Sequence, residues 1–191
     1  MKKISSQSYP KSILQGLQLG ERAFANAISS KIKYAKININ CNSLPKPIWI
    51  KGDKSDTKSI LVDLPENDCP CLYYLEILEG NTREIMDSFK EFKYGKPATD
   101  RATPAIKKNI DYTTKTLYVG KVKRDVWSRM RTHLGYYHVG ATAGLQLVSW
   151  ATDIDLILRA HIYGFDPEMK ESIGGLELNF AKSLNPLIGR H

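Results

Sequence analysis

The sequence predicts a domain of the α/β or α+β class, built on a small sheet with helices between its strands. Three observations predict it. Short runs of aromatic and branched residues recur beyond residue 70, at 72–78, 116–119 and 154–162. Between them lie stretches whose apolar residues fall at helical spacing. The chain has 191 residues, 42% of them hydrophobic, which is material for one domain with an elaboration or for two very small ones.

The elements follow in order. From Ser12 to Ile32, the residues Ile13, Leu17, Phe24 and Ile28 share one helical face. Gly16 and Gly20 weaken its middle, so one kinked helix or two short ones are expected. The Asn-, Ser- and Pro-rich stretch 38–47 reads as a loop. Residues 48–50 and 60–62 are short strand candidates around a polar turn. Leu72 to Leu78 reads as a buried strand. Asn81 then caps a helix, with Glu84 placed as a capping box and Ile85, Phe89 and Phe92 on the apolar face. Residues 95–104 form a loop. Residues 116–119 form a second strand, stopped at Gly120. A helix over roughly 125–134 buries Val126, Met130 and Leu134, with Gly135 past its end. Residues 145–150 read as a short strand or helical turn. Residues 154–162 form the third strand, with Ile154, Leu156 and Leu158 alternating against Asp155 and Arg159. Asp166-Pro167 opens a helix that Gly174-Gly175 interrupts and Leu176 to Leu184 resumes.

Charge gives the first functional direction. There are 28 Lys and Arg against 20 Asp and Glu, a net charge of +8. That balance favours an anionic partner, nucleic acid first. The densest cluster holds Lys115, Lys121, Lys123, Arg124, Arg129 and Arg131, with Asp125 the only acid between Lys115 and His133. No apolar run approaches the roughly 20 residues that span a bilayer, so no membrane partner is expected. No apolar run follows Met1-Lys2-Lys3, so a secretory signal is not expected and a cytoplasmic location is. Three cysteines in such a chain fit reduced thiols. Cys69, Cys71 and Cys41 invite a zinc reading, but no fourth ligand stands at finger-like spacing.

One constellation carries chemistry. Arg129 and His133 are four apart on one helix and share a face, off the apolar stripe. Tyr73 and Tyr118 lie on two strands that can present hydroxyls to a common surface. With Lys121 and Glu177 they make a set suited to a phosphodiester. A guanidinium grips phosphate oxygens as a fork. One carboxylate can hold one hard divalent cation whose shell water and phosphate complete. A phenol or imidazole can take the proton of an attacking water.

The order of these residues resembles the GIY-YIG nuclease superfamily, over roughly residues 70–191. Cys71-Leu72-Tyr73 stands for the first triplet, and Tyr118-Val119-Gly120 for the second. Lys121, Arg129, His133 and Glu177 occupy the positions that follow. Cys71 takes the place of the first glycine. Gly189 stands where the family often carries Asn, with Asn185 the nearest substitute.

The resemblance implies a three-stranded, largely antiparallel sheet flanked by helices over 70–191, behind a basic, partly helical extension over 1–69. That extension is expected to grip DNA or to pair two subunits. The implied activity is metal-dependent hydrolysis of DNA phosphodiesters, of a restriction, mobile-element or repair type. Glu177 would hold Mg²⁺ or Mn²⁺. Tyr73 or Tyr118 would be the base, with His133 assisting. Arg129 would stabilise the pentacovalent charge, and Lys121 would bind phosphate or lower a neighbouring phenol's pKa. Lys115, Lys123, Arg124 and Arg131 would contact phosphates. RNA in place of DNA stays open, as does a non-catalytic nucleic-acid-binding module on an eroded fold. Taken singly, Tyr73 and Tyr118 read as core aromatics, Arg129, His133 and Glu177 as a solvated surface, and Trp49, Trp127 and Trp150 as packing.

Overall fold

The computed structural model describes residues 11–29, 32–45, 69–95, 101–136 and 142–190. The strand candidates at 48–50 and 60–62 lie outside them. The described residues form an α/β fold with four α-helices and one four-stranded antiparallel sheet. The strands are β1 (Lys33–Asn40), β2 (Cys71–Glu79), β3 (Thr116–Val122) and β4 (Ile157–Gly164). Their order across the sheet is β1-β4-β2-β3. The helices are α1 (Lys11–Ser29), α2 (Thr82–Tyr94), α3 (Val126–Leu134) and α4 (Ile173–Leu184).

The fourth strand corrects the expected three. β1 reads Lys-Tyr-Ala-Lys-Ile-Asn-Ile-Asn, and its Asn residues belong to a strand, not to a loop. Ile37 and Ile39 are buried while Asn38 and Asn40 face out, the period of two that a half-buried strand requires. β1 pairs with β4 along its whole length, from Lys33 opposite Gly164 to Asn40 opposite Ile157. The segment expected to be an extension therefore contributes an edge strand to the sheet.

Three further boundaries move. β3 runs through Gly120 to Val122, because the antiparallel ladder with β2 continues past the glycine. β4 begins at Ile157, and Leu158, Ala160 and Ile162 are its buried set. α4 runs unbroken through Gly174 and Gly175, which fall in its first turns, where a glycine breaks no helix already held by packing. α1 is likewise one helix despite Gly16 and Gly20.

Local signals hold the helices beside the sheet. The Asn81 side chain accepts from the backbone N–H groups of Arg83 and Glu84 and so starts α2. Asp125 accepts from the Ser128 N–H and starts α3, and Gly135 at φ 101° ends it. Ile85, Met86 and Phe89 of α2 and Val126, Met130 and Leu134 of α3 join Leu75, Ile77, Leu158 and Ile162 of the strands in one core. Helix α4 contacts β2 and β3. The free edge of β3 is covered by the segment after α4, where Leu187 and Ile188 donate to the carbonyls of Thr116 and Leu117. No helix among the described residues is long and apolar enough to cross a membrane.

Candidate active site

The β2–β3 register builds the site. Tyr73 lies opposite Gly120, and Leu75 lies opposite Tyr118. Strand alternation puts both tyrosines on one face, two residues apart in register. Gly120 makes room for them: a Cβ there would stand 2.5 Å from the Tyr73 hydroxyl, 2.7 Å from its Cζ and 2.8 Å from the Tyr118 ring. The glycine is thus required by close approach and not by chain reversal.

Helix α3 brings Arg129 and His133 onto that face. Arg129 Nε donates to the Tyr73 hydroxyl at 2.7 Å, and Nη2 donates to the Tyr118 hydroxyl at 3.4 Å. Nη1 donates to the Ala143 carbonyl at 2.8 Å. His133 Nε2 lies 2.9 Å from the Tyr73 hydroxyl. The Leu145 backbone N–H points at His133 Nδ1, 3.3 Å away. A backbone N–H can only donate, so Nδ1 is the acceptor and the proton sits on Nε2. His133 therefore donates to Tyr73, whose oxygen accepts from two neighbours at once.

Burial tunes these groups. Tyr73 and His133 are buried, whereas Tyr118 and Arg129 are half-buried. Burial raises the Tyr73 phenol well above its ordinary value, and the Arg129 guanidinium opposes that rise. Burial also raises Tyr118, again opposed by Arg129. His133 is held well below the usual imidazole range by burial and then by Arg129, so it is neutral at pH 7. A neutral imidazole whose Nε2 already carries its proton is not a base at that atom. In this arrangement His133 holds the Tyr73 hydroxyl in place.

Lys121 follows Gly120 and points to the other side of β3. There its Nζ meets Glu177 Oε2 of α4 at 3.0 Å, with side-chain exposures of 34% and 16%. Glu177 lies near enough to both phenols to disfavour their ionisation. Of the six residues singled out in the sequence, Tyr73, Tyr118, Arg129 and His133 thus bond to one another on the α3 face of β2 and β3, while Lys121 and Glu177 pair on the α4 face. Among the described residues, no cluster of three or more His, Cys, Asp or Glu side chains comes together. A lone carboxylate still fits Mg²⁺ or Mn²⁺, which keep several waters and complete their shells with substrate oxygens. Cys41 and Cys71 are buried thiols raised by burial, Cys41 up to about 12, and no disulfide joins the three cysteines.

The basic flank divides. Lys115, Lys123 and Arg124 are exposed, and Lys123 pairs with Glu171 at 2.5 Å. Arg131 is 7% exposed, with its guanidinium 4.9 Å above the Trp127 ring. It packs in the fold and is not an exposed cation like the other three. Asn185 does not serve the site either: its side chain accepts from Lys107 and donates to Asp111.

Two features escaped the sequence reading. One is the backbone of the 142–145 stretch, whose Ala143 carbonyl and Leu145 N–H orient Arg129 and His133. Backbone groups leave no mark on residue type. The other is a cleft of about 200 Å³ at the β3 edge, lined by Thr103, Ala105, Tyr118, Ala143, Gly189 and Arg190. Tyr118 reaches it and Tyr73 does not. Comparison with protein-family models, curated proteins and solved structures gives no match for this chain.

Proposed function

We propose that this chain is a GIY-YIG-like, metal-dependent endonuclease that hydrolyses DNA phosphodiester bonds. The observation that carries the reading is the Arg129 guanidinium, bound to the Tyr73 and Tyr118 hydroxyls on strands that also carry Lys121, the partner of Glu177. Two phenols, a fixed guanidinium, an ammonium and one carboxylate are what in-line attack of water on a phosphodiester uses.

Tyr118 lines the cleft, so it is the phenol placed, once ionised to phenolate, to take the proton of the attacking water. Water's oxygen bonds to phosphorus as the bond to the 3′-oxygen breaks, leaving a 5′-phosphate and a 3′-hydroxyl. Tyr73 and His133 hold Arg129 and the phenol pair in place from beneath. Arg129 sets its charge against the pentacovalent phosphorus, and Lys121 sets a second beside Glu177. Glu177 is the residue that would hold the divalent cation. When bound, that cation supplies Lewis-acid polarisation of the phosphate and stabilisation of the leaving oxygen.

The test is digestion of supercoiled and long linear DNA with Mg²⁺, Mn²⁺ or EDTA, comparing wild type with Glu177→Ala. Metal-dependent cutting by the wild type, lost in the variant, is expected. DNA binding at low salt without cutting under any cation would favour the non-catalytic module instead. Tyr118→Phe should lower the cleavage rate by about 10²–10⁴, the range for a general base. Because burial raises the Tyr118 pKa, wild-type cleavage should climb with pH from 7 to beyond 9 without a plateau. A rate flat over that interval would remove the phenol from the base's role.

A further inference from the structure

The sheet face that carries Lys121 also carries a cavity. It has a volume of about 490 Å³ and opens between β2, β4 and α4. Its walls are Leu72, Tyr163, Phe165, Leu176 and Phe180, and its polar rim is Asn179 and Ser183. Leu72 is the register partner of Lys121, and Glu177 lies between Leu176 and Phe180 on α4. The cavity therefore adjoins the Lys121–Glu177 pair.

Its aromatic walls are held in place from behind. Tyr163 packs on Phe180 at 6.4 Å, with the rings perpendicular, and on Tyr34 at 5.2 Å. Tyr74 packs edge-on to Phe180 at 5.5 Å and stacks flat on His161 at 4.4 Å. His161 is pinned in turn by Glu76 at 2.9 Å and by the Tyr34 hydroxyl at 2.8 Å. A hydrogen-bonded Tyr34–His161–Glu76 chain thus braces the rings that wall the cavity.

We propose that this cavity takes one unstacked nucleobase of the substrate, next to the phosphate held at Lys121 and Glu177. This rests on the nuclease reading and names its substrate class: nucleic acid with an unpaired or extruded base beside the scissile bond. Three features select a nucleobase. Aromatic walls offer stacking that every base can use. Asn179, whose amide can both donate and accept, and Ser183 one turn away stand at the rim of this otherwise apolar lining, where the polar edge of a stacked base would emerge. A cation sits beside the cavity, where the phosphate attached to that base would lie.

The test uses a single-stranded dodecanucleotide carrying 2-aminopurine, in EDTA so that nothing is cut, and the same sequence as a duplex. Wild type is expected to quench the fluorescence of the single strand on binding. Phe180→Ala should weaken single-strand binding roughly tenfold and remove the quench, with duplex binding changed less than twofold. Asn179 is exposed on α4, so Asn179→Ala leaves folding intact, and it should weaken single-strand binding severalfold if Phe180→Ala unfolds. Unaltered quench and affinity in Asn179→Ala, or in a folded Phe180→Ala, would overturn the proposal. The two readings fail separately. Metal-dependent cutting with an unaffected pocket variant would leave the nuclease and remove the pocket. Base quenching lost in the variants, from a wild type that never cuts, would do the reverse.

Discussion

Two histidines bonded to tyrosines sit on opposite faces of the same sheet, and they are built differently. His133 is buried on α3, between the Tyr73 hydroxyl and the Leu145 backbone N–H, and no carboxylate among the described residues bonds its ring. His161 is half-buried on β4, between the Tyr34 hydroxyl and the Glu76 carboxylate. In the first pair the donor from the backbone leaves the imidazole only its neutral form. In the second pair a carboxylate receives one ring nitrogen and solvent is at hand. The difference teaches that a Tyr–His contact does not define a function. The third partner and the burial decide what the imidazole does.

The sharpest way to break the buried arrangement is to fill it. Gly120→Ala should destabilise the fold by about 1–3 kcal/mol, because the new methyl meets the stiff Tyr73 ring and not a flexible chain end. Cleavage should fall with it, since the displaced hydroxyl anchors Arg129. Chemical denaturation and a plasmid assay on one preparation would check both, and unchanged stability would show that the two tyrosines are not packed over this glycine.

Removing the buried imidazole should weaken the fold at least as much, though it leaves the two phenols in place. His133→Ala should cost roughly 2–4 kcal/mol, from the cavity and from the donors left unpaired. Its titration gives a further check. The folded pKa lies below the unfolded value of about 6.5, so the unfolded chain binds the extra proton first. The stability this group contributes is present above about pH 6.5 and is lost as pH falls towards the folded value. Denaturation midpoints at pH 7.5 and 5 should differ less in His133→Leu than in wild type. An equal difference would assign the acid sensitivity to other groups.

The exposed pair should respond least. Tyr34 is 51% exposed, so Tyr34→Phe removes one hydrogen bond that water can replace and should cost less than about 1 kcal/mol. A larger loss would make the Tyr34–His161–Glu76 chain a structural element of the sheet, and not only a brace for the rings.

Much of this arrangement is legible in residue order. Asn81, Asp125 and Gly135 mark helix ends because capping is local: each bonds backbone within three or four residues of itself. Tyr73, Tyr118, Arg129 and His133 could be grouped because strand and helix periods place them on defined faces. β1 was hidden because its polar side is Lys and Asn, residues as common in loops as on the open face of an edge strand. Its alternating Ile37 and Ile39 were the available signal.

The sequence alone therefore determined the elements, their faces and the set of groups that could meet. The tertiary structure decided which phenol reaches the cleft and which nitrogen of His133 carries its proton. It also decided that Arg131 packs on Trp127 and does not face solvent. The physical reason is common to all three. Each depends on burial, or on backbone groups supplied by segments distant in the chain, and neither is encoded in the local run of residues.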